Sequence, residues 1–351
     1  MNKTACAVLA LAACGTALAQ SNVTIFGTTD LALTRATSGD TSITGLKDGG
    51  NTASRIGFRG TEDLGGGLDV HFLLEAGYDP RSGAGTLPGP GLTFSRQSFV
   101  GFSGPWGQLD AGRMYTPMFY TLFRADPFGV NALFSPINLV TATDAQPGLT
   151  PFAARSSNML RYRTPANSAF IADIAYAPSK SEAASRRSGE FKGATFGWSS
   201  KPWYVAYGVQ RVRSGSATAP VADPAVSTYQ VLSASYQFPQ LTLYAHAMRN
   251  ASSLPATRSA KLFSVGASYP VTPFSNLILE AVQRKVDGSD RSQLAWTLGY
   301  DYHLSKRTAL YGRWLGLNNS GGASASLAGV AVLPNSGDSV RVLAAGIRHN
   351  F

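Results

Sequence analysis

Leu68-Asp69-Val70-His71-Phe72-Leu73-Leu74-Glu75-Ala76-Gly77-Tyr78-Asp79 is the stretch on which the fold turns. Read with a period of two, Leu68, Val70, Phe72, Leu74, Ala76 and Tyr78 share one face, while Asp69, His71, Glu75 and Asp79 share the other. In an extended chain successive side chains point to opposite sides, so this is a strand with one greasy and one wet face. The pattern recurs at 229–238, where Leu232, Ala234, Tyr236 and Phe238 oppose Ser233, Ser235 and Gln237. It recurs again at 293–302, where Leu294, Trp296, Leu298, Tyr300 and Tyr302 oppose Thr297, Gly299 and Asp301. Helical periodicity is almost absent.

A soluble sandwich also alternates, and the spacing of the turns separates the two readings. The period-two pattern predicts sixteen strands, beginning near 22–34 and 52–62 and ending at 340–351. Short links such as Asp63-Leu64-Gly65-Gly66-Gly67, Gly104-Pro105-Trp106 and Leu304-Ser305-Lys306 follow the even strands. Long polar links at 35–51, 178–189, 212–227 and 317–339 follow the odd ones. An even strand count with short turns at one end and long loops at the other describes an all-β fold, a 16-stranded antiparallel transmembrane β-barrel, whose closure leaves no edge for lipid to desolvate. Tyr78, Tyr176, Trp203, Tyr236, Phe238, Tyr300 and Tyr302 fall near strand ends, where interfacial girdles belong.

One connection is far longer than an ordinary loop. Residues 115–155 show no strand alternation yet carry Tyr115, Phe119, Tyr120, Phe123, Phe128, Phe134 and Phe152. So many bulky apolar groups imply packing against something, and folding back into the lumen satisfies both length and composition.

Composition agrees. Of 351 residues, 44% are hydrophobic and only 14% charged, which excludes a disordered chain. After residue 20 there is no apolar run long enough for a membrane helix. Residues 1–19 read as a secretory signal peptide: Lys3, an apolar stretch from Ala5 to Ala13, then Ala17-Leu18-Ala19, so the mature barrel is expected over 20–351. A competing lipoprotein signal, Leu11-Ala12-Ala13-Cys14-Gly15, would place a lipid on Cys14. Cys6 and Cys14, the only cysteines, both lie inside the expected leader, so thiol chemistry is excluded from the mature chain. The net charge of +10 favours anionic partners. No basic block or nucleic-acid signature accompanies it, so nucleic acid is not expected as one.

Several segments resemble the Gram-negative general porins of the beta-proteobacterial type. They are Ser21-Asn22-Val23-Thr24-Ile25-Phe26-Gly27, the run from Ser54 through Arg55-Ile56-Gly57-Phe58-Arg59 to Leu68, Arg96-Gln97-Ser98-Phe99-Val100-Gly101-Phe102, Gly112-Arg113-Met114-Tyr115-Thr116-Pro117, Asp126-Pro127-Phe128-Gly129, Arg161-Tyr162-Arg163-Thr164-Pro165, and the terminal Gly346-Ile347-Arg348-His349-Asn350-Phe351. The resemblance implies a homotrimer in outer-membrane lipid, with the third long loop narrowing each pore. It also implies that Phe351 is the signal read by the barrel-assembly machinery. The expected function is an outer-membrane porin for passive diffusion of small anionic or polar solutes, anion-selective, with no cofactor.

A pore needs fixed charge at its narrowest point, and arginine stays protonated and can stack along a wall. The chain has 22 Arg to 8 Lys. Alternation points Arg55 and Arg59 inward, because Ile56 and Phe58 take the lipid face, and likewise Arg161 and Arg163 beside Leu160 and Tyr162. Arg96 joins them through the resemblance. Asp126 and Asp144 on the long loop are the expected opposing acids. Each arginine has a second reading, an ion pair within the wall to Glu75 or Asp79.

Two other functions compete. A secreted or lipid-anchored β-sandwich adhesin would explain alternation but not the alternating link lengths. An outer-membrane barrel hydrolase finds no support in motif: His71, His246, His303 and His349 are all the histidines, in no metal-ligand or nucleophile-elbow spacing, so neither catalytic nor metal-binding residues are expected.

Overall fold

The structure, a computed structural model, describes residues 22–86, 91–179, 187–216 and 218–351. The leader expected at 1–19 lies outside the described residues. Strands follow one another antiparallel around a single sheet: β1 (Asn22–Ser38), β2 (Thr41–Asp48), β3 (Arg55–Asp63), β4 (Asp69–Gly77), β5 (Gln97–Gly104), β6 (Gly107–Tyr115), β7 (Arg155–Arg163), β8 (Phe170–Ala177), β9 (Phe191–Ser200), β10 (Trp203–Arg213), β11 (Val226–Gln237), β12 (Thr242–Ser252), β13 (Ala260–Thr272), β14 (Ser275–Val286), β15 (Ser292–His303), β16 (Thr308–Ser320) and β17 (Val340–Asn350). The last strand returns to the first, with Thr28 opposite Asn350 and Ser38 opposite Val340. That pairing closes the barrel.

Seventeen segments make sixteen strands, because β2 and β3 occupy the same place in the sheet. Both pair with β1 on one side, β2 along Leu31–Ser38 and β3 along Asn22–Thr28. Residues 49–54 between them leave the sheet and turn into the lumen. The long polar link expected at 35–51 is therefore mostly strand. The chain reverses at Gly39, whose φ of +52° suits a tight hairpin turn, and Thr41-Ser42-Ile43-Thr44 pairs straight back onto β1. Alternation weakens there because this hairpin rises past the apolar belt, so neither face needs to be greasy. The turn at Gly65-Gly66-Gly67 meets its expectation: all three glycines have positive φ, a region other residues rarely enter.

Lipid and lumen faces follow the period-two reading. Val70, Phe72 and Leu74 stand outside, and Asp69, His71, Leu73 and Glu75 inside, opposite Asp63, Thr61, Arg59 and Gly57 of β3. At the rim near the short turns, Trp203, Tyr236 and Phe238 meet edge to face at 4.4 Å, and Trp106 lies nearly parallel to Tyr162. Phe351 belongs to this rim. Its backbone exchanges two 3.1 Å hydrogen bonds with Gly27, and its ring lies where any side chain at Gly27 would stand.

Unlike a soluble domain, the molecule keeps its apolar core inside the barrel, between the long third loop and one wall. The loop opens with helix α1 (Pro117–Arg124), capped by Thr116 and started by Pro117. Met118 and Leu122 of α1, then Phe134, Ile137 and Leu139 further on, are fully buried against Tyr229, Leu262, Val282 and Leu315 of the β11–β16 wall. Each such side chain contributes about 1.5–3 kcal/mol relative to exposure. The wall offers a floor without side chains where the loop comes closest: a Cβ on Gly299 would lie 2.8 Å from Phe128, and one on Gly266 2.9 Å from Pro127. The final link, 321–339, also folds inward, with Leu327, Val330 and Val332 joining the same core.

Candidate functional site

Because the third loop fills the β11–β16 side of the lumen, the open passage runs along β3–β8. It widens into two chambers. One, of about 460 Å³, opens toward the long loops and is bordered by Lys47, Asn51, Arg55, Arg96, Phe123 and Arg155. The other, of about 590 Å³, opens toward the short turns and is bordered by Gln108, Arg124, Arg161, Arg163, Thr195 and Tyr204. Tyr120 borders both, which places the third loop's helix at the waist between them.

The first chamber is built around Glu75. Its carboxylate accepts from Arg96 Nε at 2.6 Å and lies 3.7 Å from Arg55 Nε. Arg96 also donates to the Tyr115 hydroxyl at 2.9 Å, and Arg155 donates to the same oxygen while its guanidinium lies 4.0 Å over the Tyr115 ring. Arg155 makes no ion pair to a carboxylate among the described residues. Four cations therefore border the chamber, Lys47, Arg55, Arg96 and Arg155, against two carboxylates, Asp48 and Glu75. Such an excess, held in a narrow lumen with restricted water, attracts anions.

Around the second chamber Arg161 and Arg163 both meet carboxylates, while Arg124 borders it with no ion pair among the described residues. Arg161 is 2% exposed and grips Asp173 with two nitrogens, Nε at 2.7 Å and Nη2 closer still, so it is a wall ion pair. Its guanidinium also lies 4.6 Å from the Tyr120 ring centre. Arg163 reaches Asp110 at 2.9 Å, and Asp110 takes further contacts from Gln108 and His71, both at 2.8 Å. Arg59 borders neither chamber and lies 5.4 Å over the Phe26 ring. Ser103, His71 and Asp110 stand in line, but Ser103 is 3.4 Å from the imidazole and Arg163 already meets the Asp110 charge. The trio reads as a wall network and not as a nucleophile with its base.

The expected acids face elsewhere. Asp126 is buried within the loop, accepting from the N–H of Phe128 at 3.0 Å, the Ser135 hydroxyl at 2.7 Å and the N–H of Val130. A carboxylate followed by Pro127 and Gly129 is an ideal acceptor for the turn's own N–H groups, and that local demand outweighs exposure to the passage. Asp144 turns to the opposite wall, where Arg284 binds it at 2.7 Å and Gln293 at 2.8 Å. Neither stands across from the arginines; Glu75, on the same wall as Arg55, is their partner.

Arg155, Lys47 and Arg348 escaped the sequence reading. Arg155 lies at the last residue of the stretch read as loop, beyond a bulge at Asn158 that shifts the register of β7. Arg348 was legible, since Leu343, Ala345, Ile347 and His349 face lipid and leave it inside; it donates to Asn51 at 3.0 Å.

Comparison with known proteins gives a consistent result. Residues 5–322 match a family model described as Gram-negative porin. The chain is 30% identical to outer membrane porin protein 32 of Delftia acidovorans, over the full length of both. It is 30% identical to an outer membrane porin protein of Bordetella pertussis, over 89% of this chain and 93% of that one. Among solved structures, an anion-selective porin from Comamonas acidovorans superposes with a TM-score of 0.85 and 28% identity, covering 94% of this chain and all of the other.

Proposed function

Because the chain belongs to the Gram-negative porin family, an outer-membrane β-barrel forming a water-filled channel for passive diffusion of small hydrophilic solutes, we propose that its anion preference is set in the chamber around Glu75. Arg55, Arg96 and Arg155 supply the field, with Arg161, Arg163 and Arg59 as structural neighbours lower in the wall. The observation that carries this is the clustering: Arg55 and Arg96 share the single carboxylate of Glu75, and beside them Arg155 has no carboxylate partner among the described residues. Small anions and carboxylates pass preferentially, drawn by a field that narrow walls keep from being fully screened. The likeness to a porin described as anion-selective supports the same reading. Homotrimeric assembly and recognition of Phe351 by the assembly machinery complete the proposal, and both rest on family membership. Reversal potential across a planar bilayer in a potassium chloride gradient tests the selectivity. A chloride-driven sign is expected, and a potassium-driven one refutes it.

A further inference from the structure

On the outer surface of β12–β14 three cations stand in one row, Arg249, Lys261 and Lys285, all exposed. Lys261 pairs in register with Arg249 on one side and with Lys285 on the other, so the three point outward together from adjacent strands. Neighbouring strands lie about 4.8 Å apart, which puts the outer two backbones about 10 Å from each other, within the reach of two long side chains. Like charges directly opposite one another destabilise a sheet. Among the described residues the row is met by one carboxylate, Asp287, 3.5 Å from Lys261 and already accepting from Ser259, while the side chains of Arg249 and Lys285 make no hydrogen bond or ion pair. The row sits at the long-loop end of the barrel: Lys261 is the second residue of β13, and Lys285 the last but one of β14. Beneath it the outer face is apolar, with Phe263 57%, Val265 65% and Leu279 49% exposed. At the short-turn end of the same strands the outward residues are Leu243, Tyr269 and Leu277. Lys192 opposite Arg211 repeats the cationic pairing at the long-loop end of β9 and β10, there with Glu190 3.3 Å from Lys192.

We propose that Arg249, Lys261 and Lys285 dock a lipid of the outer leaflet that carries at least two phosphate charges, with the phosphates across the row and the acyl chains over Phe263, Val265 and Leu279. The inference goes beyond the channel reading and needs only the barrel's place in the outer membrane. Long loops lie on the outer side of such a barrel, so the row stands where the apolar band gives way to headgroups. Basic side chains at that level attract phosphates, and their aliphatic stems extend the apolar surface below. Any bilayer lipid covers Phe263 and Val265; the row adds a choice among lipids. Three cations against one carboxylate leave two positive charges unmet, which a doubly charged headgroup answers and a zwitterionic one does not. A bridging headgroup also relieves the repulsion between the strands, because each cation then has a counter-charge without leaving its register.

The test adds diphosphoryl lipid A, phosphatidylglycerol or inorganic phosphate to the full barrel, purified and stripped of lipid in detergent. Native mass spectrometry reads the bound lipid, and gels read the temperature at which the heat-modifiable form is lost. Diphosphoryl lipid A is expected to bind and to raise that temperature. Phosphatidylglycerol, with one charge, should bind about fivefold more weakly or worse, the worth of one basic side chain at an anionic lipid surface. R249Q/K261Q/K285Q should weaken lipid A binding by about ten- to a hundredfold, while the lipid-free protein keeps its stability because the removed charges repel one another. K201Q/K306Q/R307Q takes the same number of charges from the short turns and should bind lipid A as the unaltered protein does. Undiminished binding by the row variant overturns the proposal, as does an equal loss in both variants. Displacement of lipid A by millimolar inorganic phosphate overturns it too, since the row would then hold a free anion. Should the triple variant fail to fold, R249Q and K285Q singly are each expected to cost about fivefold, and no loss in either refutes the site.

Discussion

Replacing Arg96 and Arg155 together by glutamine removes the net positive charge of the chamber while leaving Glu75 paired with Arg55. The size of the effect can be worked from the charge count. A chloride ion about 6 Å from one uncompensated guanidinium gains about 0.7 kcal/mol at the dielectric of water, so two give ~1.4 kcal/mol. At 0.1 M salt, with a screening length of about 10 Å, roughly half survives. Potassium is disfavoured by the same amount, so the chloride-to-potassium preference is about tenfold, ~1.4 kcal/mol in difference. Across a tenfold salt gradient this corresponds to a reversal potential of roughly 40 mV, given ~59 mV per tenfold for a single charge. R96Q/R155Q should bring it close to zero, and replacement of Arg55, Arg96 and Arg155 by glutamate should reverse its sign. Heat-modifiable migration in gels verifies that the variants are folded. A folded R96Q/R155Q protein that keeps its full reversal potential would refute the assignment and place the selective charge elsewhere.

Asp173→Ala leaves the Arg161 guanidinium buried without its carboxylate and should cost about 3–5 kcal/mol, read as a lower temperature for loss of the heat-modifiable form. If Arg161 belongs to the wall, the reversal potential of the surviving folded protein stays chloride-driven. Arg284 holds the third loop through Asp144, Gln146 and the Ala142 carbonyl, so Arg284→Ala should free that end of the loop; single-channel records should change from steady to flickering. Gly27→Val collides with the Phe351 ring, and deletion of Phe351 removes two closing hydrogen bonds; both should lower the amount of folded barrel in the outer membrane severalfold on immunoblots.

What the sequence made legible is what repeats. Alternation depends on nearest neighbours and on the contrast between lipid and water, so the facing of Arg55, Arg59, Arg161 and Arg163 could be read from Ile56, Phe58, Leu160 and Tyr162 alone. Where the barrel rises beyond lipid the contrast vanishes, and Thr41–Asp48 reads as loop although it is strand. The loop's acids were misplaced for another reason. Asp126 is turned inward by the N–H groups of its own turn and by Ser135, a local demand, whereas Asp144 is held by Arg284, and no local pattern announces a partner 140 residues away. Arg96 sits between these cases: it lies outside β5, yet Glu75 and Tyr115 bring it to the chamber.

The interruption between β2 and β3 has a bearing on whether the third loop could be treated as a portable part. Where the chain leaves the sheet, the carbonyls of Gly49 and Asn51 are freed from strand pairing and both receive the Asn131 amide, at 2.7 and 3.0 Å. The N–H groups of Asn51 and Thr52 in turn bind Asp30 of β1, at 3.0 and 2.7 Å. Part of the loop's fastening is thus written into the first hairpin of the barrel, some eighty residues upstream. Residues 116–154 transplanted into a barrel whose second strand runs unbroken would arrive with Asn131 facing carbonyls already engaged in the sheet. The graft would carry the letters of the constriction without its shape.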